Sequence, residues 1–119
     1  MAPLIALVVA TFYVGYTGDV FCLDATPADL QAAGVQWVAV DVAWYTTGAV
    51  HCGDLLMVTF PGHTLKAYAL DAGPLGAYRV DGLGTIALDV PAHLWPLAGM
   101  AARVKVQNVT AILRRRIVQ

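Results

Sequence analysis

Short apolar runs broken by glycine, proline or aspartate set the rhythm of this chain. Leu4 to Val14 is almost wholly apolar and rich in branched and aromatic side chains, which predicts a buried strand followed by a loop from Gly15 to Asp24. Thr26 to Gly34 then reads as a short helix. Thr26 can cap the free amides, Pro27 suits the first helical position, Asp29 meets the positive end of the helix dipole and Gly34 supplies a left-handed stop. Val35 to Val42 is a β-rich run, and Tyr45 to Gly48 reads as a turn. Leu55 to Phe60 and Thr64 to Leu70 form a hairpin through Pro61-Gly62, which suit the central positions of a type II turn. A glycine-rich loop over Asp71 to Gly76 precedes a short strand at Thr85 to Leu88. A helical turn over Pro91 to Ala98 and a last strand from Arg103 to Leu113 complete the pattern. Six strands and two short helices satisfy their sheet edges best by closing into a barrel, so the expected class is mainly β.

Composition changes this picture in one respect. An apolar fraction of 59% over 119 residues is ample for one core, so residues 1–119 read as a single domain. Charged residues are only 13%, and the formal net charge is -1. Weak charge repulsion and abundant apolar side chains favour association, as a homo-oligomer or inside a protein assembly. Nucleic acid is a poor partner for this charge pattern. Arg114, Arg115 and Arg116 cluster in the tail, and the other basic residues are scattered.

The amino-terminal run lacks the basic start of a signal peptide, and Thr11, Gly15, Thr17 and Gly18 interrupt it too early for a transmembrane helix. Three histidines without ligand spacing, and two cysteines outside any CxxC pair, imply no metal and no cofactor. Cys22 and Cys52 are either bridged, which at this separation would stabilise the fold by ~3–4 kcal/mol through loop closure, or two buried thiols. The compartment would decide between these.

The order of several short motifs resembles the double-psi β-barrel group of expansins, rare lipoprotein A and lytic transglycosylases. Ala10-Thr11-Phe12-Tyr13 followed by Gly15 is similar to the opening strand of expansins, where a glycine loop with a cysteine, here Cys22, comes next. Val38-Ala39-Val40, Trp44-Tyr45, Gly48-Ala49 and Cys52-Gly53-Asp54 match the central pattern. Leu70-Asp71-Ala72-Gly73-Pro74 resembles the D-x-G-P loop of rare lipoprotein A, and Ile86 to Trp95 the terminal strand and helix. The resemblance covers roughly residues 8 to 100 and implies a six-stranded double-psi β-barrel.

It also implies binding or cleavage of a cell-wall polysaccharide such as peptidoglycan, in an extracellular, periplasmic or virion-associated setting. In the lytic transglycosylases the aspartate of the terminal strand is the acid/base and that of the D-x-G loop lies nearby. Those roles fall to Asp89 and Asp71. Protonating a glycosidic oxygen needs a carboxyl group raised toward neutral pH, which burial beside a second carboxylate provides. Thr11 and Tyr13 would hydrogen-bond the sugar, and Trp44 or Tyr45 would offer a stacking face. Two plainer roles compete. Val90 stands where relatives carry a capping serine, so Asp89 would cap the next helix, and Asp71 would accept amides of its own loop. In that case the chain is a non-catalytic barrel in a larger assembly, such as a virion or phage-tail component.

Overall fold

The computed structural model describes residues 4–13, 17–60, 62–80, 82, 84–96 and 106–114. Val14, Gly15, Pro61, Ala98, Arg103, Arg115 and Arg116, which the sequence reading drew on, lie outside the described residues. Among the described residues seven strands follow in chain order: β1 (Leu4–Tyr13), β2 (Trp37–Asp41), β3 (Leu55–Phe60), β4 (His63–Gly73), β5 (Arg79–Val80), β6 (Gly84–Pro91) and β7 (Val106–Arg114). Two helices, α1 (Pro27–Ala32) and α2 (Val42–Thr46), flank β2, and 3-10 turns lie at Leu75–Ala77 and Ala92–Leu94. Six strands close on themselves in the order β1-β7-β3-β4-β2-β6 and back to β1, with β5 an addition to β6. The circuit gives all six a partner on either side. The pairs β1–β6 and β2–β4 are parallel, and the other pairings are antiparallel.

Alternation along the strands fills the barrel. Leu56, Val58 and Phe60 of β3 and Leu65, Ala67 and Ala69 of β4 are buried, and they meet Ala10, Val38, Val40, Leu88, Val90 and Trp95 in one cluster. The small residues of β4 leave room for the Phe60 and Trp95 rings, which meet edge-on at a centroid distance of 5.0 Å. A second, outer cluster joins Val20, Leu30, Trp37 and Leu70, where α1 lies on the sheet.

Local signals placed α1 as expected. Thr26 and Asp29 form a reciprocal capping box, with Asp29 N–H donating to Thr26 Oγ1 at 3.2 Å and Thr26 N–H donating to Asp29 Oδ2 at 3.0 Å. Gly34, at φ +74, terminates it, and Gly62, at φ +75, takes the left-handed position that the β3–β4 turn requires.

Four expectations need correction. Tyr45 and Thr46 belong to α2 instead of a turn, because Trp44 and Tyr45 pack against the barrel core. The glycine loop begins only at Pro74, since pairing with β2 continues β4 through Asp71 and Ala72 to Gly73. The strand at 85–88 extends to Pro91, so Asp89 lies within β6. The following helix shrinks to the 3-10 turn Ala92–Leu94, whose cap residue is Pro91, with Asp89 two residues before it inside β6.

Candidate functional site

Two register irregularities assemble a row of polar side chains on the outside of the barrel. On β4, Val38 pairs with Ala69 but Ala39 pairs with Asp71, so Leu70 is an extra residue, a β-bulge. Strict alternation after Ala67 and Ala69 would send Asp71 into the barrel. The bulge instead puts Asp71 beside Ala39, on the face opposite Val38 and Val40. A second bulge, at Ala87 of β6, lies between the Val9–Ile86 and Ala10–Leu88 pairs, after which Thr11 pairs with Asp89. Ala39 also pairs with Asp89. Residues opposite one another on adjacent strands share a face. Thr11, Asp89, Ala39 and Asp71 therefore form one row across β1, β6, β2 and β4. At one strand spacing per step, Asp89 and Asp71 have Cα atoms about 10 Å apart.

The two carboxylates sit in different surroundings. Asp89 is partly buried, and its Oδ1 accepts a hydrogen bond from Thr11 Oγ1 at 2.8 Å. Asp71 is only 6% exposed. Its Oδ1 accepts the Ala72 amide at 2.9 Å and the Phe21 amide at 3.1 Å. Burial pushes the Asp71 carboxyl above the usual carboxylate range, against the opposing pull of the Ala72 and Phe21 amides.

Asp71 is also the anchor of a covering loop. Cys22 and Cys52 are joined in a disulfide, with Cα atoms 5.6 Å apart. Cys22 N–H donates to Leu70 O at 2.9 Å and Gly53 N–H to Ala69 O at 2.9 Å. The bridge therefore links two loops that both grip the bulged stretch of β4. Tyr45 closes the arrangement from α2. Its hydroxyl donates to the Asp71 carbonyl at 2.9 Å, and burial pushes that hydroxyl's pKa up, with the Asp71 and Asp54 charges adding to the effect.

The other predicted side chains are partly committed elsewhere. Tyr13 Oη accepts from Trp37 Nε1 at 3.0 Å, and Trp44 is partly buried against the core. The row thus unites Thr11, Asp89 and Asp71, and Tyr45 reaches it through the Asp71 backbone, whereas Trp44 lies against the core. Phe21 was missed. It is 56% exposed, and its ring packs on Tyr45 at a centroid distance of 5.1 Å. The one sequence signal for it is an aromatic residue next to Cys22 in the glycine-containing loop.

Among the described residues no group of three histidine, cysteine or acidic side chains is placed to hold a metal ion, and no helix is long and apolar enough to cross a membrane. No protein-family model and no curated protein matches the chain. Solved structures do. The apo form of an expansin from Clavibacter michiganensis aligns at a TM-score of 0.63 with 21% identity, over 98% of this chain and 53% of that one. A point mutant of the Clavibacter michiganensis expansin, in complex with cellohexaose, aligns at a TM-score of 0.61 with 22% identity and the same coverage. The chain spans about half the length of these expansins, and it has their double-psi β-barrel fold.

Proposed function

We propose that the protein binds a cell-wall polysaccharide over the outer row Thr11–Asp89–Ala39–Asp71, meeting it at Asp89, outside the cell that makes it. The observation that carries this reading is the row itself, on a barrel whose fold is shared with an expansin crystallised with cellohexaose. Carboxylates and hydroxyls on a sheet face are the groups that hydrogen-bond sugar hydroxyls, and Asp89 is the partly exposed member of the row, Thr11, Ala39 and Asp71 being buried. Binding to insoluble cellulose and to peptidoglycan, measured by depletion from solution, tests the reading. Retention by either polymer that falls at least tenfold in Asp89→Asn supports it. A folded wild type that binds neither would leave a structural barrel.

The finer reading is cleavage of peptidoglycan, lytic-transglycosylase-like. Asp89 is the carboxyl group that a glycan can reach, being partly exposed, and it would give its proton to the leaving glycosidic oxygen. Thr11 would orient it through the 2.8 Å hydrogen bond. Asp71, covered and held by two amides, acts as a positioning residue that sets the loop carrying Phe21. Release of soluble muropeptides by wild type but not by Asp89→Asn, both folded by circular dichroism, is the expected result. Binding without release would leave a non-catalytic binder.

A further inference from the structure

Phe21 is the most exposed aromatic side chain near the row, and it stands at a defined place. Its amide is tied to Asp71 Oδ1 at 3.1 Å, and the next residue is tied both by the Cys22–Cys52 bridge and by the Cys22 N–H bond to Leu70 O at 2.9 Å. Its ring rests on Tyr45, which is itself fixed by the hydroxyl bond to the Asp71 carbonyl. An apolar ring left 56% exposed and so restrained loses little freedom when a ligand covers it, which is the condition for a strong contact. Leu23 and Tyr68, 45% and 37% exposed, continue the apolar surface past the disulfide, lining a groove of about 410 Å3 with Cys22, Cys52, Gly53 and Leu70.

We propose that Phe21, backed by Tyr45, is a stacking subsite for one ring of a β-1,4-linked hexose chain whose hydroxyls meet Asp89, two strands from Asp71. The inference rests on the polysaccharide reading above and names the ring chemistry it requires. Equatorially linked hexoses carry flat C–H faces that stack on aromatic rings, and their hydroxyls lie at the edges. The row matches that division. Asp89, partly exposed and bonded to Thr11, is a polar point, and Phe21, on the loop held over buried Asp71, is an apolar one. Two strand spacings, about 10 Å, separate the Asp89 and Asp71 positions, a span within reach of one short oligosaccharide bound to both.

The test is titration calorimetry of wild type, Phe21→Ala, Phe21→Trp, Asp89→Asn and Tyr78→Ala with cellohexaose and, separately, chitohexaose. Tyr78, 60% exposed near β5, is the control for loss of an exposed aromatic outside the row. The expected result is binding of at least one hexasaccharide that weakens roughly tenfold in Phe21→Ala. Phe21→Trp should restore it and Tyr78→Ala leave it unchanged. The two sugars distinguish glucose from N-acetylglucosamine as the stacked ring. Binding that depends on Asp89 but is indifferent to Phe21→Ala would overturn the subsite and leave the polysaccharide reading standing. Absence of binding to both sugars by folded wild type would overturn both.

Discussion

On the β4 side of Ala39, Asp71 is sealed under a disulfide-linked loop with its carboxylate bonded to two backbone amides, whereas on the β6 side Asp89 is partly exposed and accepts from the Thr11 hydroxyl. Both occupy the same row on the same face. The difference follows from what lies over Asp71: loop 17–24 covers β4 at the Leu70 bulge, and its Phe21 amide reaches that carboxylate. A carboxylate that orders a loop is held by stability, whereas under the proposed function Asp89 would serve a ligand. The two halves of the row should therefore respond differently to substitution.

The largest expected effect on stability lies on the closed side. Replacing Cys22 and Cys52 by alanine together should lower unfolding free energy by ~3–4 kcal/mol, because the 30-residue loop regains its freedom in the unfolded chain. Urea denaturation of the double variant measures it. Next comes Asp71→Ala, which strands the Ala72 and Phe21 amides and should cost about 1–3 kcal/mol in the same assay.

Asp71→Asn keeps an oxygen for both amides and removes the charge. Burial raises the folded carboxyl above its unfolded value, so the ionised side chain weakens the fold at pH above the folded pKa, and that cost vanishes as pH falls below the unfolded value. The Asn variant should equal or exceed wild type at about pH 7 and lose its lead by about pH 3. A lead that grew on acidification would contradict the assignment.

On the open side the stability effects are smaller. Thr11→Val removes a donor from a largely buried position and should cost about 0.5–1.5 kcal/mol while weakening polysaccharide binding. Asp89→Asn, with its oxygen still able to accept from Thr11, should change stability by less than about 0.5 kcal/mol yet remove binding or fragment release. A large loss of stability in Asp89→Asn would put Asp89 in the same structural class as Asp71 and break the contrast.

The elements read correctly along the chain are those built from near neighbours. Helix α1 carries its start signal in Thr26, Pro27 and Asp29 and its stop in Gly34, and the β3–β4 hairpin is marked by Gly62 between two alternating runs. Helix α2 was missed because Val42, Thr46 and Thr47 are branched and read as extended or turn. What holds it is tertiary, through Trp44 and Tyr45 packing on the core and the Tyr45 hydroxyl reaching Asp71. The extent of β4 was misread for the same reason. Asp71 to Gly73 looks like a loop until β2 supplies the pairing partners Ala39, Val40 and Asp41.

The sequence by itself determined the mainly β class, the capped helix, the hairpin and the inner alternation of β3 and β4, because each depends on spacing within a few residues. It also marked Asp71 and Asp89, through motif order, as the carboxylates to watch. Only the tertiary structure decided which way they face. Thr11 meets Asp89 across 78 residues, and Asp71 joins their row because the bulge at Leu70 reverses its side. A strand's facing is set by its pairing register, and one inserted residue exchanges inside for outside. That choice belongs to the assembled sheet, and the local pattern does not carry it.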